Sequence, residues 1–260
     1  MSRTRFPLAV AALLLCAAIP ARAEIAQEGS LVATFDAQLR PSSLPREEAA
    51  PIAVRVAGDF RDASGDPERL SQLRQIRVAI NRQGQLFDRG LPVCRVERIQ
   101  PAREKAARRI CGDAIVGRGH ITLNARLSPQ PAFPVRANLL VFNGPRRNGA
   151  KLIYAQAYAH KPPGAFVLAF RVSEQPGVFG TVLTTTLPNS ARNWAYLTHF
   201  DMTLHRTYEY RGQRHSYVSA ACSAPAGFDK ALFAFARATY GFADGRRLSI
   251  PVARVCHVAK

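Results

Sequence analysis

The feature that most restricts this chain is a near-regular alternation from Trp194 to Arg211. Its even positions carry Trp194, Tyr196, Phe200, Met202, Leu204, Tyr208 and Tyr210. Its odd positions carry His199, Asp201, Thr203, His205, Thr207 and Glu209. Successive side chains take opposite faces only in a strand, so this period of two predicts one buried face and one wet face. Such a strand belongs to an antiparallel sheet with solvent on one side.

The same period recurs at Ile52, Val54 and Val56, at Ile76, Val78 and Ile80, and from Phe166 to Val172. Leu31–Leu39 reads as an earlier strand, and Ile115–Leu127 as one in the middle of the chain. From Pro134 onward nearly every segment reads as β. Turns are expected at Asn81–Gly84, Asn143–Gly149, Ser173–Gly177, Arg211–Arg214 and Asp244-Gly245. The fold class predicted is all-β, an antiparallel β-sandwich, either as one domain over 24–260 or as two lobes meeting near 128–134. One short helix is expected near 101–110, where Pro101 suits a first helical position and Ala102–Ile110 lack Gly and Pro.

The first residues carry an export signature. Arg3 and Arg5 precede an apolar run from Leu8 to Ile19, and Ala21-Arg22-Ala23 offers a small-x-small cleavage site before Glu24. The run is about a dozen residues, against the ~20 a membrane-spanning helix needs. Segment 1–23 is therefore expected to be a cleavable signal peptide and the product to be periplasmic or secreted, with no transmembrane segment. Beyond residue 23 stand four of the five cysteines: Cys94, Cys111, Cys222 and Cys256. An even number in an oxidising compartment predicts two disulfides among three possible connectivities.

Strand counting chooses between them. If strands from Val135 run alternately up and down, the tips at 143–149, 174–177, 211–214 and 244–245 fall at one end. Cys222 and Cys256 then close downward strands at the other end, and Cys94 is left with Cys111. A Cys94–Cys111 bridge closes a loop of about 18 residues and would contribute ~3 kcal/mol to holding the short helix.

The same counting gathers Arg146, Arg147, Arg211, Arg214, Arg246 and Arg247 at the first end. Without Arg3, Arg5 and Arg22 the chain has 33 basic and 18 acidic residues, a net +15. Guanidinium matches phosphate and carboxylate in bidentate fashion, so this end is a candidate for docking an anionic envelope polymer or surface. Two plainer causes compete with that reading. A GC-rich genome favours Arg, which outnumbers Lys 31 to 5 here, and charges at turns keep sheet edges from pairing with other chains.

Local catalytic motifs are missing: the sequence has no G-x-S-x-G, H-E-x-x-H or P-loop. No catalytic residue, metal ligand or cofactor is assigned, and no specific nucleic-acid partner is expected. The rival to a non-catalytic binding protein is an envelope-polymer hydrolase or metal-binding protein using His199, Asp201 and His205. Residues two apart on a strand are ~6.6 Å apart, so neighbours there could share a metal, whereas His199 and His205 are ~20 Å apart.

Three stretches carry a resemblance: Gly90-Leu-Pro-x-Cys94 with Cys111-Gly-x-Ala-Ile-Val-Gly-x-Gly119, Leu140-x-Phe-Asn-Gly144, and Trp194-x-Tyr-Leu197 through Tyr210-Arg-Gly212. The chain resembles a set of uncharacterised exported proteins of GC-rich bacteria. The resemblance implies a secreted, disulfide-bearing β protein and no particular activity.

Overall fold

Residues 23–127, 129–188 and 194–259 are described by a computed structural model of the chain. The expected signal segment lies outside these residues apart from Ala23, as do Ser128 and 189–193. In chain order the strands are β1 (Glu24–Glu28), β2 (Leu31–Arg40), β3 (Ser43–Leu44), β4 (Ala50–Pro51), β5 (Ala53–Asp62), β6 (Leu73–Ile80) and β7 (Gly84–Leu86). Helices α1 (Val96–Ile99) and α2 (Glu104–Cys111) follow. Then come β8 (Ile115–Ala125), β9 (Phe133–Arg147), β10 (Ala150–His160), β11 (Pro163–Glu174), β12 (Thr181–Thr186) and β13 (Ala195–Leu204). The last are β14 (Thr207–Tyr210), β15 (Gln213–Ser216), β16 (Val218–Ala220), β17 (Lys230–Phe242) and β18 (Arg247–Val258).

The all-β antiparallel architecture, a short helix and both disulfides are present. The layers of the expected sandwich are continuous: one thirteen-stranded sheet, ordered β1-β2-β5-β13-β8-β9-β10-β11-β12-β6-β17-β18-β3, curls on itself. Its pairings are antiparallel except for the short β18–β3 contact. The curl brings β18 back to the opposite edge, where Arg254 binds Glu24 at 2.7 Å and Asp36 at 2.6 Å. β8 and β9 pair across residues 126–132, so the expected lobe boundary falls at a hairpin within this sheet.

The pairing registers define two ends, here called the rim and the base. β9 ends at the rim with Arg147 and turns through Asn148 and Gly149, both at positive φ, into β10. This is the tight Asn-Gly hairpin the sequence predicts. Asn143-Gly144 is no turn; it lies within β9, where Asn143 is buried. The Asn81–Gly84 turn also differs from expectation. It leads from β6 to β7, which pairs with β16 in a separate three-stranded sheet β4-β16-β7. That small sheet caps the rim.

The alternating segment is interrupted after Leu204. β13 belongs to the main sheet, whereas β14 and β15 form their own hairpin. The whole stretch 205–229 stays at the rim, so the chain makes one crossing fewer than strand counting assumed. β17 therefore descends, with Ala236 opposite Ile80 at the rim and Phe242 opposite Leu73 at the base. The Asp244-Gly245 tip is consequently at the base, and Cys256 returns to the rim.

Two cores result. Inward side chains from both halves of the sheet form the main one, and its base half is plugged by Phe35, Phe60, Phe200 and Tyr240. A smaller core lies on the outer wall, where α1 and α2 cover Leu140, Phe142 and Tyr154. Pro101 separates these two helices instead of opening one over 101–110. Because β10 is covered on both sides, its residues from Tyr154 to Ala159 are all buried.

Candidate functional site

The inner wall reads Ala37, Val56, Ala155, Leu183, Met202 and Phe235 from six different strands. These and their neighbours enclose an apolar cavity of about 100 Å³ in the rim half. Small side chains leave room for it: Ala37, Ala155 and Ala236 are buried in its lining. The cap closes it from above through Leu86 and Val218–Ala221. An engineered cavity of about 150 Å³ with similar lining stays dry and binds benzene, so a space of this size and polarity suits a small apolar group.

A second, open depression of about 170 Å³ adjoins the cavity and shares Asn81, Gln83, Ala221 and Phe233 with it. Arg82 stands at this mouth, and its exposed guanidinium has no acidic partner among the described residues. Asn81 is buried and fully engaged, donating to the Ala234 carbonyl at 2.7 Å and accepting from the Gln83 N–H at 2.9 Å. Cys256 and Ser223 also line it, so the second disulfide borders this depression.

Both disulfides join the expected partners. Cys94 and Cys111 have Cα atoms 5.6 Å apart, and Cys222 and Cys256 5.7 Å apart, well inside the ~7 Å limit. The second bridge is at the rim, however, not at the end opposite Arg146 and Arg147. The six tip arginines are also divided. Arg146 and Arg147 belong to the rim, as does the β14–β15 hairpin with Arg211 and Arg214, whereas Arg246 and Arg247 are at the base. The base is not a free cationic surface. Arg246 is ion-paired with Asp244, and the Arg247 backbone N–H donates to the Glu28 carboxylate, so two acidic groups stand among these arginines.

Another basic concavity escaped the sequence reading. Arg98, Arg108 and Arg109 line an open depression of about 250 Å³ beside the first disulfide. Arg108 is committed to Glu104 at 2.6 Å. Helical spacing of 108 and 109 against Arg98 on the preceding short helix could not be read without knowing that two helices fold together.

The outer wall carries the polar residues. On β13, His199 and Asp201 face outward with Asp59 of β5 and His120 of β8 on either side, paired as His199–Asp59 and Asp201–His120. His199 Nδ1 lies 2.8 Å from Asp59 Oδ1, and Arg55 donates to both Asp201 oxygens at 3.0 and 2.6 Å. Burial, the largest cause, holds His120 below its ordinary pKa, with Arg136 adding to the effect. His205 lies beyond the end of β13 and is exposed, outside this cluster. None of the three concavities above is lined by His199, Asp201 or His205. The inner wall is apolar, whereas this stretch of the outer wall is polar and charged. Among the described residues no helix is long and apolar enough to cross a membrane.

Comparison with known protein families, curated proteins and solved structures found no match for this chain.

Proposed function

We propose that the protein is an exported, non-catalytic binding protein that holds an anionic amphiphile of the cell envelope. Its short acyl portion occupies the apolar cavity, and its acidic head sits at the mouth beside Arg82. The observation that carries this reading is the cavity itself, an apolar space that shares four lining residues with an open depression bearing Arg82, whose guanidinium has no acidic partner among the described residues. Ligand sites are typically apolar with a few placed polar groups, and this pair of concavities has that composition. Export is supported by the signal-like segment 1–23 and by two disulfides, which persist in oxidising compartments. Arg147, Arg211 and Arg214 share the rim with the mouth and add a positive field that draws an anionic ligand or surface to this end, while Arg146 is ion-paired with Asp88.

Octanoate and octanol test the reading by titration calorimetry. Octanoate is expected to bind one per chain, and Ala155→Leu, which fills the cavity, to weaken it at least 10-fold. Arg82→Gln is expected to weaken octanoate several-fold and leave octanol unchanged. If octanoate shows no saturable binding, or binds Ala155→Leu as tightly as the wild type, the proposal is wrong.

A further inference from the structure

We propose that His120, His199 and Asp201 form a site for one divalent transition-metal ion on the outer wall, independent of the ligand cavity. One ligand atom from each residue lies within 4.8 Å of those of the other two, and all three side chains are half-buried. The ligands come from two adjacent strands whose register fixes them. His120 is paired with Asp201, and an irregularity between Leu197 and His199 offsets the ladder so that His199 pairs with Thr122, diagonally beside His120. The two imidazole rings are already 5.5 Å apart between centroids.

The close approach of β8 to β13 has a cause in the sequence. A Cβ on Gly119 would stand 2.6 Å from Met202 Cα, and nearer still to the Asp201 carbonyl oxygen. Glycine at 119 thus lets β8 bend against β13 at the position where His120 meets Asp201.

The surrounding groups suit ligation. Asp59 accepts from or fixes His199 at Nδ1, which orients the ring and leaves Nε2 as the nitrogen available to a metal. A carboxylate behind a ligating histidine is the usual outer-shell partner of such sites. Thr34 in turn donates to Asp59 at 3.2 Å, and the Asp59 N–H donates to Thr34 Oγ1 at 3.0 Å, so the orienting carboxylate is itself held. Arg55 occupies one acceptor direction on each Asp201 oxygen, and each oxygen has a second lone pair. Two imidazoles and one carboxylate with open positions match a borderline ion such as zinc, whose three-ligand sites keep water in the fourth place.

Zinc chloride is the probe, titrated calorimetrically into the full exported chain without an affinity tag, after chelator treatment and dialysis. One zinc per chain is expected, with His120→Gln and His199→Gln each weakening it at least 30-fold. Asp59→Asn is expected to weaken it about 10-fold through loss of ring orientation. Cobalt should give visible bands in the wild type that the two histidine variants lose. Octanoate binding and circular dichroism unchanged in the variants would establish that the loss is local. No saturable zinc binding, or wild-type affinity in the double variant His120→Gln/His199→Gln, overturns the proposal.

Discussion

The two stapled regions of this molecule are built on different principles. Cys94–Cys111 spans 17 positions and folds two short helices onto the outside of the sheet. Its patch is held by contacts of intermediate sequence range: buried Gln156 donates to the Ile99 and Ala102 carbonyls, and Asn143 donates to the Pro92 carbonyl at 3.0 Å. Cys222–Cys256 spans 34 positions and ties the rim cap to the final strand. Around it the contacts are long-range, with Cys222 N–H donating to Pro45 and Arg46 donating to the Pro225 carbonyl at 2.8 Å. One staple completes a satellite core, while the other holds the lid of the main one.

The contrast can be broken most severely at the cap. Replacing Cys222 and Cys256 by alanine should lower stability by about 4 kcal/mol, the chain-entropy value for the longer loop. Octanoate binding should fall with it, because the cap roofs the cavity. Denaturant titration alongside calorimetry measures both, and a stable double variant with intact binding would show that the bridge is not what holds the lid.

Removing Cys94 and Cys111 should cost about 3 kcal/mol. Here octanoate affinity should be unchanged, and faster hydrogen exchange should be confined to residues 94–114. Exchange that spreads through β9 and β10 would mean the outer patch is part of the main cooperative unit.

The smallest expected effect concerns a charge beneath the cap. Lys151 is buried, with its ammonium 4.4 Å from the centre of the Tyr217 ring and 3.5 Å from Asp88. Burial pushes its pKa down from 10.5 to about 8, with Asp88 opposing. Between those values the unfolded chain holds a proton the folded chain has released, so this group makes stability rise with pH. The rise should be about 2 kcal/mol from about pH 7.5 to about pH 9.5. Lys151→Met should remove it; an equal rise in that variant would assign the slope to other groups.

Counting crossings paired Cys222 with Cys256 correctly because both cysteines changed ends together when the assumed strand at 215–221 became part of the cap. The arginine tips did not share that cancellation, so Arg246 and Arg247 went to the base. Similarly, His199 and Asp201 were visible as neighbours on one strand face. His120 and Asp59 were not, since they come from strands about 80 and 140 positions away in sequence with no signal but the register. Asn143-Gly144 misled for a related reason: its turn chemistry is real, but the Asn143 side chain is used to hold the 91–92 backbone.

What the sequence determined by itself was local. Alternation dictated strands, Asn148-Gly149 and Asp244-Gly245 dictated tight turns, and closely spaced cysteines dictated the first staple, because each depends on interactions within a few residues. The tertiary structure alone decided that the sheet curls shut, that small alanines leave a cavity, and that two histidines meet an aspartate. Those outcomes depend on which strands become neighbours, and strand order is set by the burial of the whole inner face and not by any segment within it.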